Sequence, residues 1–129
     1  MLAQEFIARH IESDRIIESL SVREYKKNNR EMDKICRLFK MLEKDLEFAK
    51  VVYKELLSYD CAVTRINAAA ECLSLRIYVE EALWVLAEIA KSPKKDMRCF
   101  NAEMTLRVWR EQGYLKVYPE QEIVRREES

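Results

Sequence analysis

Two stretches decide the fold: Asn101-Ala102-Glu103-Met104-Thr105-Leu106-Arg107-Val108-Trp109, and Asn67-Ala68-Ala69-Ala70-Glu71-Cys72-Leu73-Ser74-Leu75 about 34 residues before it. Both open on Asn-Ala and repeat apolar residues at three- and four-residue intervals, the period of a helix with one buried side. Like helices recurring at this distance mark a two-helix repeat stacked into an α-solenoid, where each pair buries its apolar face against the next. The expected fold is therefore all-α, a HEAT/ARM-like superhelix of about six helices. The competing explanation is that two amphipathic helices align without any repeat, since only about one and a half copies are visible.

Working outward, Asp96 to Gln112 forms one helix, with Gly113 where a left-handed cap is expected and Tyr114-Leu115 folding back after it. Val79 to Lys91 forms another, stopped at Ser92-Pro93 because proline cannot continue it. Small residues between Val63 and Leu75, Ala68 to Ala70 above all, allow close helix approach. Ahead of them, Leu46 to Ser58 carries Ala49, Val52, Tyr53, Leu56 and Leu57 on one face, and Asp60 is a candidate cap for the helix that follows. From Val22 to about Lys44, Met32, Ile35, Phe39 and Leu42 share a side. Leu2 to Leu20 reads as one or two helical pieces, with a break expected near Ser13 and Asp14.

The composition agrees. Hydrophobic residues are 49% and charged residues 36%, with one glycine and two prolines, so there is material for a core and almost no turn punctuation of the kind sheets require. A chain of 129 residues suits one domain spanning 1–129, with a flexible tail expected from about residue 118, where Arg125-Arg126 stand beside Glu127-Glu128. Basic and acidic residues balance at 23 each, so no whole-molecule field attracts nucleic acid or anionic membranes. Glu5 and Arg9 interrupt the first apolar stretch, unlike a secretory signal, and the expected location is cytoplasmic. The densest apolar run, Ala82 to Ala87, is far below the roughly 20 residues of a membrane span. Cys36, Cys61, Cys72 and Cys99 form no C-x-x-C pair and have only His10 as an imidazole partner, so reduced, structural cysteines are expected rather than zinc ligands.

The residues Asn29-Arg30 with Asp33, Leu56-Leu57, Arg65-Ile66-Asn67-Ala68-Ala69, Glu81-Ala82 to Leu86-x-Glu88-Ile89, and above all Asn101 through Trp109 closing at Gly113, carry a resemblance. Over roughly Tyr25 to Leu115 the chain resembles a bacterial domain-of-unknown-function family of short, all-helical, HEAT-like proteins. The resemblance implies a helical-repeat fold and, because such proteins are sometimes encoded near toxins, an immunity or other interaction role. It implies no catalytic residue.

Catalytic equipment is sparse. Nucleophilic catalysis needs a base beside Ser or Cys, and His10 is the single histidine, read as a structural residue of the first helix. No Glu-x-x-His pair exists for a carboxylate metal site, and Gly113 alone cannot build a phosphate-cradling loop. Glu80, Glu81 and Glu88 are acid–base candidates only as outsiders to the reading of a solvated helix face. The chain is therefore expected not to be an enzyme and to need no cofactor or metal.

Two surfaces are candidates for binding a partner. Arg23, Lys26, Lys27, Arg30, Lys34 and Arg37 fall on one helical stripe, suited to an acidic protein or to phosphates, or else solvated and paired with Glu24, Glu31 and Asp33. Glu81, Trp84 and Glu88 share a side of another helix, where an exposed Trp flanked by acids would anchor a protein partner. The alternative buries Trp84 under a neighbouring helix or a terminal segment. Trp109, with Phe100, Met104, Leu106 and Val108, is expected inside the stack. Arg65, Arg107 and Arg110 are read as a ridge able to grip carboxylates, or as intramolecular partners of Glu103 and Glu111. The expected partner is another protein, with a nucleic acid as the alternative and no membrane.

Overall fold

The computed structural model describes residues 2–123. Among these there are six α-helices and no strand: α1 Ala3–Ser19, α2 Tyr25–Glu43, α3 Leu46–Leu56, α4 Ala62–Leu75, α5 Val79–Ala90 and α6 Met97–Gln112. A short 3-10 turn, Val22–Glu24, leads into α2. The all-α expectation and the number of helices hold. The chain divides after Leu56 into two compact units, α1 to α3 and α4 to α6, and within each unit every helix touches the other two.

In the first unit, α1 runs unbroken through Ser13 and Asp14, where a break was expected. Both residues are buried, because each has a polar partner inside the unit. His10 Nδ1 lies 2.8 Å from Asp14 Oδ2 one turn along α1, with the two side chains 0% and 1% exposed. Ser13 Oγ donates to Glu31 Oε2 of α2 at 3.4 Å. A polar residue that finds an acceptor or donor inside does not interrupt a helix; its burial costs little once it is paired. The histidine is thus a structural residue, as expected. Its apolar surroundings include Phe6, which meets Phe48 of α3 edge to face at 5.9 Å.

Helix α2 buries Glu31, Ile35, Leu38, Phe39 and Leu42. Met32, expected on this face, is 44% exposed, and Leu38 takes the buried place instead. Ile35, Phe39 and Leu42 are buried as expected, and Glu31 replaces Met32 at the N-terminal end of the stripe. The start of α2 is prepared by Ser21 and Glu24, whose side chain accepts from both the Ser21 backbone N–H and its hydroxyl.

The second unit is built around alanine. Ala68, Ala69, Ala82 and Ala102 are completely buried, so α4, α5 and α6 approach with nothing larger than a methyl group between their axes at these points. The predicted close packing is present. Helix α4 starts one residue earlier than expected, and its N-cap is Cys61, which makes no side-chain cap bond; Asp60 does not take that role. Helix α3 stops at Leu56, short of Ser58.

With a single glycine in the chain, other residues carry the left-handed positions. Arg76 at the end of α4 (φ 56°) and Tyr78 before α5 (φ 48°) both adopt positive φ. Arg76 N–H donates to Leu73 O and Ile77 N–H to Cys72 O, closing the helix end. The left-handed backbone of a bulky residue costs on the order of 1 kcal/mol. Arg76 offsets it with a guanidinium stacked 5.0 Å from the Trp109 ring centre and donating to the Gly113 carbonyl. Gly113 itself caps α6 with φ 76°, as predicted.

The tail expected from about residue 118 is anchored as far as the chain is described. Gln121 is buried; its Oε1 accepts from Val117 N–H at 2.6 Å and its Nε2 donates to Ser74 Oγ at 2.6 Å. Arg125, Arg126, Glu127 and Glu128 lie outside the described residues.

Two stability outcomes follow. His10→Ala removes a buried hydrogen-bond partner of the Asp14 carboxylate and is expected to lower unfolding free energy by about 2 kcal/mol, against about 0.3 kcal/mol for Arg15→Ala, whose pair with Glu12 is exposed. Gly113→Ala is expected to cost about 1 kcal/mol through backbone strain alone, because an added Cβ meets nothing within 4 Å. Urea unfolding followed by circular dichroism measures all three.

Candidate interaction surfaces

The six cations singled out in the sequence are all exposed. The adjacent Lys26 and Lys27, then Arg30, Lys34 and Arg37 at three- and four-residue intervals, lie on α2 itself over about 17 Å of helix, while Arg23 belongs to the 3-10 turn before it. They point outward because burying Ile35, Leu38, Phe39 and Leu42 leaves that side of α2 uncovered. Intramolecular pairing is limited. Lys34 Nζ donates to Glu31 Oε1 at 3.0 Å, and Arg37 Nε donates to the Asp33 carbonyl at 3.4 Å. Arg23, Lys26, Lys27 and Arg30 pair with no carboxylate among the described residues. Glu24, one of the expected neutralising acids, is held by Ser21 instead.

The stripe runs into a groove of about 720 Å³ between α1 and α2. Ser13, Glu31 and Leu38 are its buried lining; Arg9, Lys34, Arg37 and Met41 are exposed along it. The groove thus combines apolar surface with three cations, and its carboxylates already have partners: Glu31 takes Ser13 and Lys34, and Glu12 takes Arg15 at 2.8 Å. Arg9 was not singled out in the sequence. Its position one turn before Ser13 on α1 was the available signal, and it acquires meaning only once α1 lies against α2.

On α5 the structure brings Glu81, Trp84 and Glu88 to one exposed side, opposite the buried Ala82, Val85 and Leu86. Trp84 is 64% exposed, so the reading in which it packs under a neighbour fails. Glu88 accepts from Lys91 Nζ at 3.3 Å. The opposite outcome holds on α6: Phe100 is 53% exposed and Met104 also faces outward with Met97, although this helix was expected inside the stack. The buried residues of α6 are Cys99, Ala102 and Leu106, while Met97, Phe100 and Met104 lie on an exposed side. Trp109 is part buried beneath Arg76, and Arg107 Nε lies 3.5 Å from Glu111 Oε1, one of its two expected partners.

The four cysteines are free thiols. Burial, followed by the charges of Glu71 and Glu81, pushes the Cys72 thiol well above its usual range, so it stays protonated at neutral pH. At the start of α6, Asp96 caps the helix by accepting from Cys99 N–H at 3.1 Å, and this bond holds its carboxyl below the usual range. The cap therefore stabilises α6 at neutral pH and is lost as pH falls through the lowered value. Lys95 is raised chiefly by its hydrogen bond to Glu103. Among the described residues, no group of three or more His, Cys, Asp and Glu side chains is arranged to hold a metal ion, and no helix is long and apolar enough to cross a membrane.

No known protein family, curated protein or solved structure matches the chain. The surfaces carry the functional reading by themselves.

The exposure of Trp84 is directly measurable. Acrylamide quenching of the wild-type protein should be dominated by Trp84, and Trp84→Phe should reduce the quenching slope at least twofold with little change in stability. An unchanged slope would place the accessible indole at Trp109.

Proposed function

We propose that this protein is a non-enzymatic protein-interaction module, of the toxin-neutralising (immunity) type, that holds an acidic partner surface through the basic stripe of α2. The observation that carries this reading is the set of four exposed cations, Arg23, Lys26, Lys27 and Arg30, left without carboxylate partners among the described residues, while Glu24 is held by Ser21 and Glu31 by Ser13 and Lys34. Unpaired like charges on one helix face repel each other by a few tenths of a kcal/mol per neighbouring pair, a cost an acidic partner would reverse. The adjoining α1–α2 groove offers apolar surface for the centre of such an interface, with the cations at its rim. The exposed Trp84 between Glu81 and Glu88 offers a separate candidate anchor on the second unit. A bacterial, cytoplasmic protein of HEAT-like build, as the sequence resemblance implies, accords with this role.

The same unpaired cations favour one other reading, a HEAT-like module that binds nucleic acid phosphates along α2. The two readings part on salt and on partner. Capture from a lysate of the source organism, identification of the retained protein and measurement of its Kd should show a loss of at least tenfold, about 1.4 kcal/mol, for the Lys26→Glu/Lys27→Glu/Arg30→Glu protein. Retention on duplex DNA at low salt, falling steeply with added salt and abolished by the same three substitutions, would transfer the assignment to nucleic acid. Wild-type affinity in the substituted protein would remove α2 from either role.

A further inference from the structure

The second unit contains a pocket of about 360 Å³ where the start of α4, the end of α5 and the start of α6 converge. Its volume lies in the range of sites that hold small ligands. Arg65, in the first turn of α4, lines it. The Arg65 Nε is buried from solvent and has no acceptor among the described residues, the one such buried side-chain donor or acceptor there. Buried donors are almost always satisfied in folded proteins, and a guanidinium N–H is among the costliest to leave without an acceptor.

The acids that share the pocket do not supply that acceptor. Glu88 accepts from Lys91 at 3.3 Å, and Asp96 is turned onto the Cys99 backbone N–H at 3.1 Å. The Cys99 thiol donates to the Ala90 carbonyl at 3.1 Å. Two more cations, Lys94 and Arg98, line the same pocket and are exposed. Three cationic side chains, from α4, the α5–α6 connection and α6, therefore line a pocket in which a buried N–H lacks an acceptor and the two lining carboxylates, Glu88 and Asp96, already accept from Lys91 and from Cys99 N–H.

We propose that this pocket binds a phosphate group, with the Arg65 guanidinium as its central donor and Lys94 and Arg98 at its mouth. A carboxylate would be matched by the fork of a single guanidinium; three cations contributed by separate segments suit an anion with three or four acceptor oxygens and up to two charges. The site is separate from the α2 stripe and lies in the other unit, so it stands whether or not the stripe binds protein. It also gives a use to Arg65, which opens the segment Arg65-Ile66-Asn67-Ala68-Ala69 and engages no carboxylate of its own among the described residues.

The test uses the full chain labelled with nitrogen-15 and inorganic phosphate as the probe, titrated against potassium chloride at matched ionic strength. The Arg65 Nε–Hε resonance, identified by its loss in Arg65→Lys, should shift saturably with phosphate while those of Arg9, Arg23 and Arg110 move far less. Phosphate at ten times its Kd should raise Tm by about 4 °C relative to chloride. Arg65→Lys keeps the charge and most of the stem and should weaken phosphate at least tenfold; Lys94→Ala and Arg98→Ala, at exposed positions, should each weaken it about threefold. Parallel, unsaturable shifts of all arginine resonances would overturn the proposal. So would an equal response to acetate, wild-type affinity in Arg65→Lys, or unchanged affinity in both exposed variants.

Discussion

The rotation of α2 about its own axis governs what the first unit presents to its surroundings. Ile35, Leu38, Phe39 and Leu42 are buried together, and Glu31 goes in with them because Ser13 and Lys34 satisfy it. Once those five residues face inward, helical geometry leaves no freedom for the rest: Lys26, Lys27, Arg30, Lys34 and Arg37 must lie outward, with Lys34 and Arg37 along the groove beside α1. The free energy that sets this orientation is apolar burial, roughly 1.5–3 kcal/mol for each large side chain removed from water. Repulsion between exposed cations amounts to tenths of a kcal/mol per pair and cannot compete. The basic stripe is thus a by-product of core formation that becomes available for binding.

The second unit is held by a different device. Four fully buried alanines bring α4, α5 and α6 close together, and close approach leaves little room for large residues at those points. Ile66, Leu73, Leu75, Val85, Leu86 and Leu106 fill the core around these alanines, while Trp84 on α5 and Met97, Phe100 and Met104 on α6 stand exposed. The turn between α4 and α5 belongs to the same economy of structure. Arg76 accepts a left-handed backbone and in return ties the end of α4 to Trp109 and the Gly113 carbonyl at the end of α6.

Polar residues inside the helices were the hardest to read from the chain. Ser13 and Asp14 look like a helix break because both residue types compete for backbone hydrogen bonds when no other partner exists. Asp14 has one in His10, four residues earlier, and that pairing is visible in the sequence once helix periodicity is assumed. Ser13 is satisfied by Glu31 from another helix, and no local pattern announces it. The same distinction separates the sites. The stripe on α2 was legible because it lies on one helix, whereas the α1–α2 groove and the pocket around Arg65 draw residues from two and three elements. Arg65 itself was legible only as a cation able to grip an anion; its buried, unsatisfied Nε is a product of packing.

What the amino-acid sequence determined by itself was local: the all-α class, the helix stops at Pro93 and Gly113, the alanine-rich contact face, and the alignment of five cations along α2. Each depends on residues within a few turns of one another, where helical period and cap chemistry act. Tertiary structure decided which helix faces were covered. It set Met32 outside and Leu38 inside, exposed Trp84 and Phe100, buried Gln121 against Ser74, and gathered Arg65, Lys94 and Arg98 around one pocket. The physical reason is that a period marks the candidate apolar side of a helix, while exposure depends on whether another element is present to cover it.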